Sequence, residues 1–82
     1  MKGGVYLYLA NDLLTDGSFK DLEKLGVTPQ EGMALTFYDL DADDQDRPTY
    51  LCAQGVLYLE GGRWHAKIDQ GSFRSILRSE VD

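Results

Sequence analysis

Cysteine is almost missing from this chain, and Cys52, the only one, can form no intrachain disulfide to staple so small a fold. The same scarcity argues against a thiolate zinc site and dithiol redox chemistry, because His65 is the only histidine and no second sulfur stands at ligand spacing. Basic residues are few, eight against fourteen acids, for a net charge of -6. Nucleic acids and anionic membranes are gripped through a basic footprint, so neither is an expected partner. Long apolar runs are lacking too. None approaches the roughly 18 residues that span a bilayer, and Val5 to Ala10 is too short and too rich in tyrosine for the core of a signal peptide. These absences together point to a cytoplasmic protein. Repeats, low-complexity tracts and Pro/Ser linkers are also wanting, so residues 1–82 read as one domain.

What is present suffices for folding. Hydrophobic residues make up 43% of the 82, and five Tyr, three Phe and one Trp supply large surfaces to bury. A chain of this length buries only about 60% of its unfolded surface, which limits it to one modest core. Charge is unevenly spread. Residues 1–46 hold three lysines against ten acids, and residues 47–82 hold five basic residues against four acids.

Along the chain, Val5 to Leu9 reads as a strand with Val5, Leu7 and Leu9 on one face and Tyr6 and Tyr8 on the other. Ser18 with Asp21 three positions on resembles a capping box. Phe19, Leu22 and Leu25 recur at helical spacing before Gly26, which predicts a helix over 19–25. Met33, Leu35 and Phe37 alternate with Ala34, Thr36 and Tyr38 as a second strand, and an exposed acidic loop follows from Asp39 to Pro48. Gly61-Gly62 between two β-prone runs sets a two-residue hairpin turn. Its register places Glu60 opposite Arg63, Leu59 opposite Trp64 and Tyr58 opposite His65. Leu51, Ala53, Gly55, Leu57, Leu59, Trp64, Ala66 and Ile68 then share the inner face, and a one-residue slip would mix the two sets. Residues 73–80 fit a helix or a strand; a helical turn leading into a short closing strand is the favoured reading. The expected fold is mainly β (α+β): a small antiparallel curved sheet or SH3-like barrel, with the first strand and one short helix as an N-terminal addition.

The chemistry-bearing residues are sparse. Asp39, Asp41 and Asp43 alternate as cation ligands do, but either EF-hand register from Asp39 or Asp41 puts Tyr50 or Cys52 where a bidentate Glu is needed. Acids that suppress edge pairing on a solvated hairpin explain them better. His65 packs against Tyr58 between two cations on the hairpin register, and no local motif sets a carboxylate or nucleophile beside it. The serines lack a nucleophile-elbow context and the glycines form no phosphate-binding fingerprint. No cofactor or metal is therefore expected, nor is enzymatic activity.

The outer sheet face carries the remaining signal. Tyr38, Tyr50 and Tyr58 stand there beside Arg63, His65 and Lys67, more aromatic than a solvated face needs. This predicts a non-catalytic protein-interaction or regulatory module that contacts a protein partner or its own copy. One alternative is a small-ligand or enzymatic pocket near Trp64, His65 and the acidic loop. Another is an acidic mimic whose Asp39 to Asp46 loop meets a basic partner. A further possibility is that the N-terminal strand and helix simply cover the tyrosines.

Overall fold

A thirteen-residue strand, Pro48–Glu60, is the spine of the computed structural model, which describes residues 1–81. In chain order the elements are strand β1 (Val5–Tyr6), helix α1 (Asp16–Lys24), strands β2 (Ala34–Ala42), β3 (Pro48–Glu60), β4 (Arg63–Ile68) and β5 (Arg74–Leu77), and a last helical turn α2 (Arg78–Val81). β2 and β3 form a long hairpin, with Ala34 opposite Val56 and Ala42 opposite Pro48. β4 pairs with β3 in the register that Gly61-Gly62 predicts, from Gly55 opposite Ile68 to Glu60 opposite Arg63. Both glycines have positive φ, the conformation that a hairpin turn of this length demands.

β5 pairs with the first part of β3, Thr49 to Cys52, on the edge that β4 occupies further along. The two short strands therefore run end to end. Between them a 3-10 turn (Gln70–Ser72) keeps the ladder satisfied, as Asp69 N–H donates to the Gln54 carbonyl and the Ser72 Oγ accepts from Gln54 N–H. The favoured order for segment 73–80, a helical turn and then a strand, is corrected: the strand comes first, through Leu77, because it pairs with Thr49 to Cys52 of β3, and the helical turn follows it.

The barrel expectation is corrected here: the five-stranded sheet is open and mixed, not closed and purely antiparallel. β1 runs parallel to β2, so it belongs to the sheet and is no addition to it. Closure would require β1 to meet β4 or β5. Instead β1 stops after Tyr6, and the chain crosses to the far edge, where Leu13 forms an isolated bridge with His65. There Leu14 N–H donates to the Trp64 carbonyl and Ala66 N–H to the Asp12 carbonyl.

α1 covers the free edge of β1, and its position explains its sequence. The Ser18 hydroxyl donates to the Tyr6 carbonyl at 2.5 Å, and Asp21 Oδ2 accepts from Tyr6 N–H at 2.9 Å. Both backbone groups of an edge residue are satisfied by helix side chains, one established way to blunt a sheet edge. Ser18 also accepts from Thr15 N–H at 3.1 Å, so the cap is Thr15, three residues before the predicted one. Small Gly17 and Ser18 face β1, and a Cβ at Gly17 would lie 3.2 Å from the Tyr6 ring. Phe19 and Leu25, expected inside, are partly exposed, while Ser18 and Leu22 are buried. Gly26 closes the helix with positive φ, as expected.

Two apolar clusters lie on opposite faces of the sheet. The larger joins Val5, Leu7, Leu14, Leu22, Phe37, Ala53, Leu57, Ala66 and Ile68 on the inner face. The smaller, on the outer face at the β5 end, gathers Tyr38, Tyr50 and Cys52 under Met1, Tyr6 and Ile76. β3 is consequently buried on both faces over Tyr50 to Ala53 and on one face beyond.

Candidate functional site

The residues expected to form one tyrosine surface separate into a covered half and an open half. Tyr38 and Tyr50 are 8% and 6% exposed and pack edge to face, with ring centroids 5.3 Å apart. Tyr6 meets Tyr38 edge-on at 5.9 Å, and the Arg78 guanidinium lies 5.3 Å from the Tyr50 ring centre. Arg78 Nε also donates to the Thr49 carbonyl, which locks the last turn onto the sheet. Tyr38 and Tyr50 are structural, and β1, Met1 and Ile76 are what cover them.

The open half belongs to the β3–β4 hairpin. Tyr58 and His65, directly opposite in register, stack with ring centroids 5.2 Å apart and planes 16° from parallel. Val56, 37% exposed, and Lys67 form the next cross-strand pair on the same face, and Arg63 follows His65 at the two-residue strand period. Beside them lies a shallow groove of about 460 Å³, lined by Ala34, Gln54, Val56, Lys67 and Asp69 together with Gly55 and Ile68 of the inner-face set. Sequence periodicity located this strip because hairpin register alone determines it. It could not separate Tyr58 from Tyr50, which requires knowing where Met1 and Ile76 fold.

The composite pocket near Trp64, His65 and the acidic loop is not assembled. Trp64 turns to the inner face with Leu13, Leu14 and Phe19 around a hollow of about 340 Å³, while His65 occupies the opposite face. The acidic turn lies at the other end of β3. At about 3.3 Å per residue, Pro48 and Leu59 are roughly 36 Å apart along the strand.

The acidic segment is also more ordered than a solvated loop, because β2 continues through Ala42 and only five residues turn. Asp43 organises them: its carboxylate accepts from Gln45 N–H, Arg47 N–H and Arg47 Nε at 2.7 to 2.9 Å. Asp46 takes the positive φ that the turn needs. No group of three or more potential metal ligands exists among the described residues. The Arg47 backbone N–H is the main cause holding the Asp43 carboxyl below its usual range, ahead of Gln45 N–H and the Arg47 guanidinium. Arg47→Ala should therefore retain most of this depression, as a ¹³C carboxyl titration would show; full return to the ordinary range would refute the backbone as its main source. A depressed folded value means the contact supports the turn above the ordinary aspartate range and is lost as pH falls through the lowered one.

Cys52 is fully buried, with its Sγ 3.5 Å from the Met1 sulfur, and burial pushes its thiol up. It is an inert packing residue rather than a nucleophile. Among the described residues, no helix is long and apolar enough to cross a membrane. No family model, curated protein or solved structure matches this chain.

Proposed function

We propose that the protein is a non-catalytic interaction module whose open hairpin face, centred on Tyr58 and His65, receives an extended acidic segment of a partner protein. The observation that carries this reading is charge left uncommitted beside a half-buried aromatic stack. Arg63 and Lys67 flank the Tyr58–His65 stack, yet the one ion pair within 4 Å among the described residues joins Arg47 to Asp43. Even Glu60, opposite Arg63 in register, makes no such pair. In a chain of net charge -6, two free cations beside an aromatic stack and an exposed Val56 favour a partner bearing carboxylates between apolar side chains. An extended segment suits the site, because a flat sheet face offers pockets at alternate positions rather than a deep cavity.

The test is a titration of ¹⁵N-labelled protein with an octapeptide alternating Glu and Leu. Shift changes centred on Val56, Tyr58, His65 and Lys67 are expected, with affinity falling as salt rises. Tyr58→Ser should weaken binding about tenfold or more, the scale at which a central interface tyrosine contributes. Its circular dichroism should remain that of the wild type. Equal binding of the Gln-Leu octapeptide, or changes confined to other surfaces, would refute the proposal. Self-association that Tyr58→Ser abolishes would reassign the face to a second copy.

A further inference from the structure

The sheet manages its edges one by one, and the device on β2 differs from the others. β1 is covered by α1 through Ser18 and Asp21, and β4 is bridged by Leu13. On β2, Leu7 N–H donates to the Tyr38 carbonyl at 2.9 Å, which fixes the direction of the edge: even-numbered residues turn their backbone groups away from β3. β1 leaves β2 at this point, so Leu40 and Ala42 face outward with no strand beside them. Each nevertheless has its N–H satisfied. Asp39 Oδ1 accepts from Leu40 N–H and Asp41 Oδ1 from Ala42 N–H, both at 2.8 Å. Asp39 Oδ2 lies 3.5 Å from Leu9 N, on the chain that has just parted from β2.

We infer that Asp39 and Asp41 guard the open end of strand β2, and that the occupant they keep off is the same edge of a second copy. Each carboxylate occupies the place where a neighbouring strand would offer its carbonyl. A strand that pairs along the whole of this edge displaces both, and loss of Asp41 alone already frees the Ala42 N–H for pairing. The edge is otherwise suited to pairing, since Leu40 is 58% exposed, the most exposed of the large hydrophobic residues, and would be covered. Two such edges are self-complementary about a twofold axis near Asp41, with Leu40 opposite the second copy's Ala42 in antiparallel pairing. Unguarded edges of this kind are recurrent sites of unwanted association.

The test separates the hydrogen bond from the charge. Asp39→Ala/Asp41→Ala and Asp39→Asn/Asp41→Asn have the same net charge, but only asparagine retains a side-chain acceptor. Sedimentation velocity of the full chain should show the alanine pair dimerising at least tenfold more tightly than both the wild type and the asparagine pair. Adding Leu40→Lys to the alanine pair should restore the monomer. An alanine pair that remains monomeric at millimolar concentration would overturn the inference, and so would an asparagine pair that dimerises equally well. Should the alanine pair lose its circular dichroism, Asp41→Ala alone decides, because Asp41 is exposed and its change can be read on a folded chain.

Discussion

Gly55→Ala is expected to destabilise the protein by about 2 kcal/mol, and Gly55→Val by more, although the site is a mid-strand position where β-branched residues are ordinarily favoured. The cause is steric. A Cβ at Gly55 would stand 2.8 Å from the Lys67 carbonyl oxygen, 2.9 Å from Ile68 Cδ1 and 3.1 Å from Phe37 Cε2. The two side chains could turn aside, but the Lys67 carbonyl is backbone of β4 and moves only if the β3–β4 pairing moves with it. Relief of chain entropy on replacing glycine, about 0.4–1 kcal/mol, offsets part of this cost and does not reverse it. In a domain of this size 1 kcal/mol shifts Tm by roughly 4–8 °C, so Gly55→Ala should melt about 10 °C lower. Gly71→Ala is the control. Its Cβ would meet nothing nearer than Asp69 Oδ1 at 3.6 Å, and its stability should remain within about 0.5 kcal/mol of the wild type. If Gly55→Ala melted with Gly71→Ala, the close approach of β3 and β4 would be wrong.

Gly55 also shows how much of the fold is legible in the residues. The hairpin it sits in could be read, register included, because Gly61-Gly62 fixes the turn and the alternation of Leu57, Ala66 and Ile68 admits only one pairing. The inner faces of β1 and β2 followed from the same period-two rule. What could not be read is set by contacts distant in sequence. β1 has the pattern of any half-buried strand, and nothing in Val5-Tyr6 announces parallel pairing with Phe37-Tyr38. Tyr50 and Tyr58 look equivalent along β3, yet Met1 and Ile76 bury only one of them. For the candidate site, local register brought Tyr58, His65 and Lys67 together correctly. It also admitted Tyr38 and Tyr50, which belong to a second core, and a serine variant at Tyr50 would test packing rather than binding.

Asp21→Ala is expected to cost about 2–3 kcal/mol in urea unfolding, a large effect for a half-exposed carboxylate that makes no salt bridge among the described residues. Pattern reading assigns Asp21 to the helix cap, but its Oδ2 accepts from Tyr6 N–H at 2.9 Å and from the Tyr38 hydroxyl at 2.7 Å. One oxygen thus ties α1 to β1 and β2 together. Hydrogen bonds to a charged acceptor contribute about 1.5–3 kcal/mol each, and removing the acceptor leaves the Tyr6 amide with no partner on a covered edge. Tyr38→Phe deletes only the hydroxyl and should cost about 1 kcal/mol. Asp21→Asn, which retains an oxygen but loses the charge, should fall between the wild type and alanine. The decisive quantity is the coupling in the double variant. Asp21→Ala/Tyr38→Phe should be less destabilised than the sum of the single changes by about 1 kcal/mol, because once Asp21 is gone the hydroxyl has lost that bond already. Strict additivity would mean that the two side chains do not meet. The helix would then be held to the sheet by Leu22, by Ser18 and by the Asp21–Tyr6 hydrogen bond, with no tie from Asp21 to β2.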